Sequence, residues 1–156
     1  MDDGYPRPGA VHVPVGDALV RACRAGTETW KAVRIAYLGP DPLTFGYMAT
    51  RLCFGAYDDI KLVPYNSQSS ICTAVRQKEI ELGVVAIENI IDGMVFETIH
   101  AMRRECGFGL RVCGEIMLPI EIYPFRAEGV SGDPKKLVSY RTALGQCSVY
   151  VSKMKE

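Results

Sequence analysis

Residues 83–93 read Gly-Val-Val-Ala-Ile-Glu-Asn-Ile-Ile-Asp-Gly, and they are the most informative stretch of this sequence. A short apolar run stops at an acid and an amide, Glu88 and Asn89, and a helical pattern follows from residue 95. This order is typical of a buried strand that ends in a strand-to-helix turn. Open α/β sheets bind ligands at the carboxyl ends of their strands, and the N-terminus of a helix favours an anion. We therefore expect an anionic small molecule to bind near Glu88 and Asn89.

The segments on both sides of this stretch alternate between strand and helix patterns. Strands are predicted at 33–38, 60–64 and 82–87, and helices at 44–54, 71–78 and 95–106. An apolar segment at 110–125, bent at Pro119, predicts one or two further strands. A turn at Asp133-Pro134, a short strand at 137–140 and a helix at 142–153 complete the prediction. The alternation predicts the α/β class with a mainly parallel, doubly wound sheet.

Composition limits the kind of protein this is. The 156 residues suffice for one core, and residues 1–31, rich in Pro and Gly at the start, are predicted to be a tail and linker. Eighteen basic residues balance eighteen acidic ones without a basic block, so nucleic acid is not an expected partner. The uncharged apolar runs are far shorter than the roughly 18 residues that suggest a membrane span. With Asp2 and Asp3 in place of a basic signal region, we expect a cytoplasmic protein.

The cysteines and histidines do not predict a metal site. The chain has six cysteines and two histidines, and no two cysteines form a C-x-x-C pair. Four of the cysteines lie in apolar surroundings: Cys53, Cys72, Cys113 and Cys147. We interpret these four as small buried hydrophobic residues in a reducing compartment, and we do not expect a zinc site.

Four blocks of the sequence resemble a known family. They are Tyr37-Leu38-Gly39-Pro40 with Thr44-Phe45, residues 83–98, Gly114-Glu115-Ile116 with Leu118-Pro119-Ile120, and Ala143-Leu144 with Gln146-Cys147. In this order and spacing, over about residues 33–150, they resemble the prephenate dehydratase family. The resemblance implies a fold like the type II periplasmic binding proteins, with two α/β lobes and a ligand cleft between them. It also implies prephenate as substrate, loss of CO2 and water to give phenylpyruvate, no cofactor, and a cytoplasmic homodimer or higher oligomer.

The resemblance also implies a set of site residues. Two are catalytic candidates, Glu88 and Thr44. The substrate-binding candidates are Asn89, Gly93, Ser69, Ser70, Phe45 and Arg141.

Each candidate also has a structural interpretation. Asn89 and Thr44 are typical helix caps, and serines such as Ser69 are common in turns. Arg141 is suited to gripping a carboxylate through two hydrogen bonds, but it also suits a solvated face. Glu115 is predicted to be a buried acid, either ion-paired or with a raised pKa. His100, on the third predicted helix, is interpreted as a core or surface histidine and not as a base.

Departures from the family pattern leave three functions open. Ile90 stands where family members usually have serine, and Gly46 replaces another serine. The family's Thr-Arg-Phe segment, whose threonine is most closely tied to dehydration, would fall beyond Glu156, so we expect residues 32–156 to be an incomplete domain. The first reading is prephenate dehydratase. The second is prephenate decarboxylase, which loses CO2 and keeps the hydroxyl, and the third is a noncatalytic binding protein or remnant.

Overall fold

The computed structural model describes residues 33–39, 44–105, 109–132 and 136–154. The predicted tail and linker at 1–31 and the predicted turn at Asp133-Pro134 lie outside these residues. The chain divides into two compact units. The first comprises the residues up to Ile87 together with Val95–Pro119, and the second comprises Glu88–Met94 together with the residues from Ile120 onward.

A parallel sheet organises the first unit. Strands β1 (Val33–Leu38), β2 (Ile60–Tyr65) and β3 (Leu82–Gly83) lie in the order β2-β1-β3. Both pairings are parallel, as the alternating sequence pattern predicts. The α/β class with a parallel sheet is therefore confirmed.

Strand β3 is shorter than the predicted strand at 82–87. The N–H of Val84 still donates to the carbonyl of Ala36 at 2.8 Å, which is the last hydrogen bond between this segment and β1. Two residues later the carbonyl of Ala86 accepts a hydrogen bond of 2.5 Å from the Thr98 hydroxyl. The backbone of Ala86 is therefore tied to a side chain and not to a neighbouring strand.

Two helices begin at side-chain caps. Helix α1 (Phe45–Phe54) follows Thr44, whose Oγ1 accepts from the N–H of Tyr47. Helix α2 (Gln68–Arg76) follows Ser67, whose Oγ accepts from the N–H of Ser70. The predicted start of α2 at residue 71 was three residues too late because the Ser67 cap already satisfies a first-turn N–H.

The core covers both faces of β1, as expected for a parallel sheet. One cluster of buried residues contains Val33, Ile35, Phe54 and Leu82. The other contains Ala36, Ile71, Ala74 and Ile80. Successive side chains of a strand point to opposite faces, so neighbours in β1 contribute to different clusters.

Helix α3 (Phe96–Glu105) is joined to α2 by a buried carboxylate. Glu105 is 5 % exposed and pairs with Arg76 at 2.5 Å and with Arg104 at 3.1 Å. The hydroxyl of Thr73 donates to the same carboxylate at 3.2 Å. The hydrogen bond from Arg104, with smaller contributions from Thr73 and Arg76, holds the pKa of Glu105 below its usual range.

The second unit contains a small hairpin and two short helices. Strands β4 (Glu88–Asn89) and β5 (Gly93–Met94) pair antiparallel. The predicted strand-to-helix turn at Glu88 is therefore wrong: the chain first returns through this hairpin, and only then does α3 begin. The predicted single helix at 142–153 is two helices, α4 (Arg141–Gln146) and α5 (Ser148–Lys153), which separate at Cys147.

The predicted strands at 110–125 and 137–140 are not found. Within the described parts of 109–154, these segments have no strand, because no described segment forms a hydrogen-bonded ladder with them. Without a covering layer, Glu115 and Cys113 are exposed, so their predicted burial was wrong. Apolar sequence alone had suggested a paired strand there.

Candidate functional site

The carboxyl ends of β1 and β2 carry two groups of candidate residues. The chain leaves β1 through Gly39, which has φ +109° and donates its N–H to the carbonyl of Tyr65 at 2.8 Å. Helix α1 starts at Phe45, and α2 starts shortly after β2. Carboxyl ends of neighbouring parallel strands share one edge of a sheet, so this edge is where a ligand of the first unit would be expected.

The hydroxyl of Thr44 is committed to the backbone. Its Oγ1 donates to the carbonyl of Leu38 at 2.8 Å and accepts from the N–H of Tyr47 at 3.2 Å. A threonine hydroxyl carries one proton, and here Leu38 receives it. The geometry therefore favours the structural role of Thr44 as a cap that also ties α1 to the end of β1. The next residue, Phe45, is 45 % exposed.

The serines at the start of α2 are also engaged within the protein. Ser70 donates its N–H to Ser67 Oγ at 3.0 Å and its hydroxyl to Ser67 O at 2.8 Å. Ser69 donates its N–H to Glu97 Oε1 at 3.1 Å, and its hydroxyl accepts from Arg104 at 2.6 Å. Both serines were predicted to bind substrate. In this structure the N–H of Ser69 binds the protein's own carboxylate, that of Glu97.

The hairpin of the second unit brings Glu88, Asn89 and Gly93 together. Asn89 Oδ1 accepts from the N–H groups of Ile91 at 2.9 Å and Asp92 at 3.2 Å. Asn89 therefore caps the hairpin turn, whereas the structural interpretation of the sequence had placed it at a helix start. Gly93 has φ +79°, a backbone conformation that glycine adopts without strain, and it closes the turn.

Two charged candidates in the second unit have side chains available to a ligand. The carboxylate of Glu88 is exposed, and no residue in the described parts of the chain pairs with it. Arg141 is exposed at the first position of α4, and among the same residues its guanidinium likewise has no partner. They are therefore charged candidates whose side chains can bind a ligand without first losing a partner in the described residues.

Sequence analysis missed a contact between two of the family-like blocks. The amide of Gln146, in α4, donates to the carboxylate of Asp92, in the hairpin turn. This contact fixes the turn that follows Glu88 against α4. Both residues lie in quoted blocks, but the pairing joins positions 54 residues apart, which sequence spacing could not predict.

The remaining polar candidates have ordinary surroundings. His100 is exposed, as the surface interpretation allows, and its ring lies 6.4 Å from that of Phe96. Cys72 is buried, and burial raises the pKa of the half-buried Cys53 thiol. In the described residues, no three His, Cys, Asp or Glu side chains are grouped so as to hold a metal ion. Nor does any helix in those residues have the length and apolarity needed to cross a membrane.

Comparison with known proteins identifies the family. The family model described as prephenate dehydratase matches residues 35–156. The chain is 28 % identical over 149 residues to a bifunctional chorismate mutase/prephenate dehydratase of Aquifex aeolicus (strain VF5). That alignment covers 96 % of this chain and 38 % of the relative, so the chain spans about two-fifths of that protein's length. No solved structure matches, and the two-lobed periplasmic-binding-protein architecture stays a prediction. The chain belongs to the prephenate dehydratase family.

Proposed function

We propose that this protein is a prephenate dehydratase-type lyase that converts prephenate to phenylpyruvate. In this reaction the ring carboxylate leaves as CO2, and its bonding electrons form a ring double bond. The ring hydroxyl leaves as water after it gains a proton. The reaction makes the ring aromatic and needs neither an oxidant nor a reductant.

The observation that carries the proposal is the hairpin that holds Glu88. Asn89 and Gly93 fix the turn, while the carboxylate of Glu88 has no partner in the described residues. A carboxyl group placed beside the leaving hydroxyl would orient it through a hydrogen bond and, in its protonated form, would supply the proton with which the hydroxyl leaves as water. A positioned group of this kind is typically worth ~10²–10⁴ in rate.

Arg141 is the proposed partner of a substrate carboxylate. Prephenate carries two carboxylates, and a guanidinium binds one through two parallel charge-assisted hydrogen bonds. Arg141 is exposed and unpaired in the described residues, so binding would not have to break an existing ion pair.

The other candidates have supporting parts in the proposal. Thr44 and Asn89 hold the loops that bear them, since their side chains are bonded to the backbone. The Ser70 hydroxyl would bind a substrate oxygen only if it left Ser67 O, whereas the Ser69 hydroxyl accepts from Arg104 and keeps its own proton to donate. Phe45 offers exposed apolar surface for a ring. We therefore propose that Thr44 is a positioning residue and not a catalytic residue.

The test is to incubate the purified protein with prephenate at pH 8 and to identify the products by NMR against a protein-free control. Phenylpyruvate formed only with protein supports the dehydratase. Glu88→Gln should lower its rate of formation by ~10²-fold or more, within the range for a general acid–base group. Glu128→Gln, which changes another exposed carboxylate of the second unit, is the matched control and should retain the rate. Equal rates for both variants would remove Glu88 from the mechanism.

A second candidate is prephenate decarboxylase, and Ile90 favours it. Ile90 stands where the family usually has serine, and its side chain is 95 % exposed on the hairpin. An apolar residue there supplies no proton to a leaving hydroxyl, which suits a reaction that keeps the hydroxyl and protonates a ring carbon. The same NMR experiment would then show a non-aromatic product that has lost CO2. Unchanged prephenate whose signals broaden with protein would instead support noncatalytic binding.

We also propose self-association into a homodimer or higher oligomer. Large apolar side chains are exposed in the second unit, including Phe125 at 92 % and Val138 and Tyr140 at 77 % each. Burial of such surface against a second copy would be favourable. Analytical ultracentrifugation tests this, and a monomer at all concentrations would refute it.

A further inference from the structure

The outward face of α3 carries one aromatic ring and three basic side chains. Phe96, His100, Arg103 and Arg104 follow the spacing that places residues on one side of a helix. Phe96 is 70 % exposed, and Arg103 is exposed as well. The opposite side of α3 faces the core through three buried residues, Thr98, Ala101 and Glu105.

A shallow depression lies on this face. The described residues that line it are His100, Arg103 and Arg104. Of the two carboxylates in α3, Glu97 accepts from Ser69 in α2, and Glu105 is buried and pairs with both Arg76 of α2 and Arg104. The described residues that line the depression are therefore all basic, and one of them, Arg104, also pairs with Glu105 at 3.1 Å.

Arg104 is held in place on both sides of its guanidinium. Its Nη2 donates to Ser69 Oγ at 2.6 Å, and its Nε donates to Glu105 Oε1 at 3.1 Å. A guanidinium fixed in this way loses little conformational entropy when it binds a further anion. Its side chain is still 59 % exposed, so solvent or a ligand can reach it.

Basic residues in the last turn of a helix also have an ordinary explanation. They interact favourably with the negative end of the helix dipole. The helix dipole explains why positively charged residues such as Arg103 and Arg104 occur at this end of α3. It does not require a fixed guanidinium, or an imidazole one turn earlier beside the same depression.

We propose that this face of α3 is a binding site for a compact oxyanion of the phosphate type. Arg104 would supply a preorganised pair of donors, Arg103 a second guanidinium, and His100 an N–H donor. The site uses none of the hairpin residues, and its test does not depend on prephenate chemistry.

The two histidines of the chain provide the readout. In the full chain at pH 7, the ring C–H signals are followed by proton NMR, and a His100→Asn variant assigns them. Inorganic phosphate is added against sodium chloride at matched ionic strength. The expected result is a saturable shift of the His100 signal that chloride does not produce and that His12 does not share.

Arginine variants determine whether the response comes from this face. Arg103→Gln should weaken phosphate binding on the order of tenfold, as expected for loss of charge-assisted hydrogen bonds. Arg51→Gln, which removes an exposed arginine from α1, is the matched control and should leave the binding curve unchanged. Circular dichroism would verify that each variant is folded. A linear, unsaturable shift, or identical curves for Arg103→Gln and the wild type, would overturn the proposal.

Discussion

Gly83→Ala should destabilise the first unit because β3 packs directly against α2. A Cβ atom at Gly83 would lie 2.4 Å from Ile71 Cγ2 and 3.2 Å from Val75 Cγ2. Carbon atoms in favourable contact are about 3.5–4.0 Å apart, so the first contact is too short by more than ~1 Å. Ile71 is 1 % exposed and cannot move into solvent.

The magnitude follows from the cost of overpacking a core, which is typically ~1–3 kcal/mol. A second effect has the opposite sign. Replacing glycine by alanine reduces the conformational entropy of the unfolded chain, which stabilises the folded protein by ~0.4–1 kcal/mol where the backbone permits alanine. Gly145→Ala isolates this second effect. Gly145 lies in α4, and a Cβ there would meet nothing within 4 Å, so this variant should be slightly more stable than the wild type.

A double-mutant cycle attributes the loss to the contact. Ile71→Ala alone should cost ~2–5 kcal/mol because it leaves a cavity. It also removes the Cγ2 atom that the new Cβ would strike. The free energy of unfolding of the double variant, measured by guanidinium denaturation with far-UV circular dichroism, should therefore exceed the additive expectation by ~1–3 kcal/mol. Strict additivity, or a Gly83→Ala variant as stable as Gly145→Ala, would refute the packing of β3 on α2.

Three further predictions concern polar contacts. Thr98→Val should lower the free energy of unfolding by ~1–3 kcal/mol, because Thr98 is fully buried and its hydroxyl donates to Ala86 O. Thr98→Ser keeps that hydrogen bond and should recover part of the loss of stability, as measured in thermal melts. Gly93→Ala should cost ~1–2 kcal/mol because φ is +79° there, and an unchanged denaturation midpoint would argue against the hairpin turn. Glu105 has a pKa lowered chiefly by the hydrogen bond from Arg104, so its contribution to stability is present above the usual carboxyl pKa of about 4.3 and is lost as pH falls through the lowered value. The difference in melting temperature between wild type and Glu105→Gln should therefore shrink towards acidic pH, and a constant difference would contradict the assignment.

The hydrogen bonds of Thr44 and the serines narrow the search for catalytic groups. The hydroxyls of Thr44 and Ser70 donate to the carbonyls of Leu38 and Ser67, and the Ser69 hydroxyl accepts from Arg104, so all three side chains are engaged within the protein. Glu88 and Arg141 are the charged candidates without a partner in the described residues. If Thr44→Ala lowers stability and activity together while Glu88→Gln lowers activity alone, the two roles are separated.

The sequence by itself determined the class of fold and the family. The alternation of apolar runs with capped helical patterns predicted the parallel sheet of β1, β2 and β3, because strand and helix periods are local properties of the chain. Thr44 as the cap of α1 was identified for the same reason, since capping involves residues only three apart. The blocks that resemble prephenate dehydratase were likewise visible without coordinates.

Only the tertiary structure decided what the candidate side chains touch. Ser69 is hydrogen-bonded to Glu97 and Arg104, and Gln146 to Asp92. These contacts join positions that are distant in the sequence, and no local pattern connects them. The apolar segment at 110–125 failed as a strand prediction for the same physical reason. A strand exists only when another segment supplies hydrogen-bond partners, and sequence shows the apolar residues but not whether that partner is present.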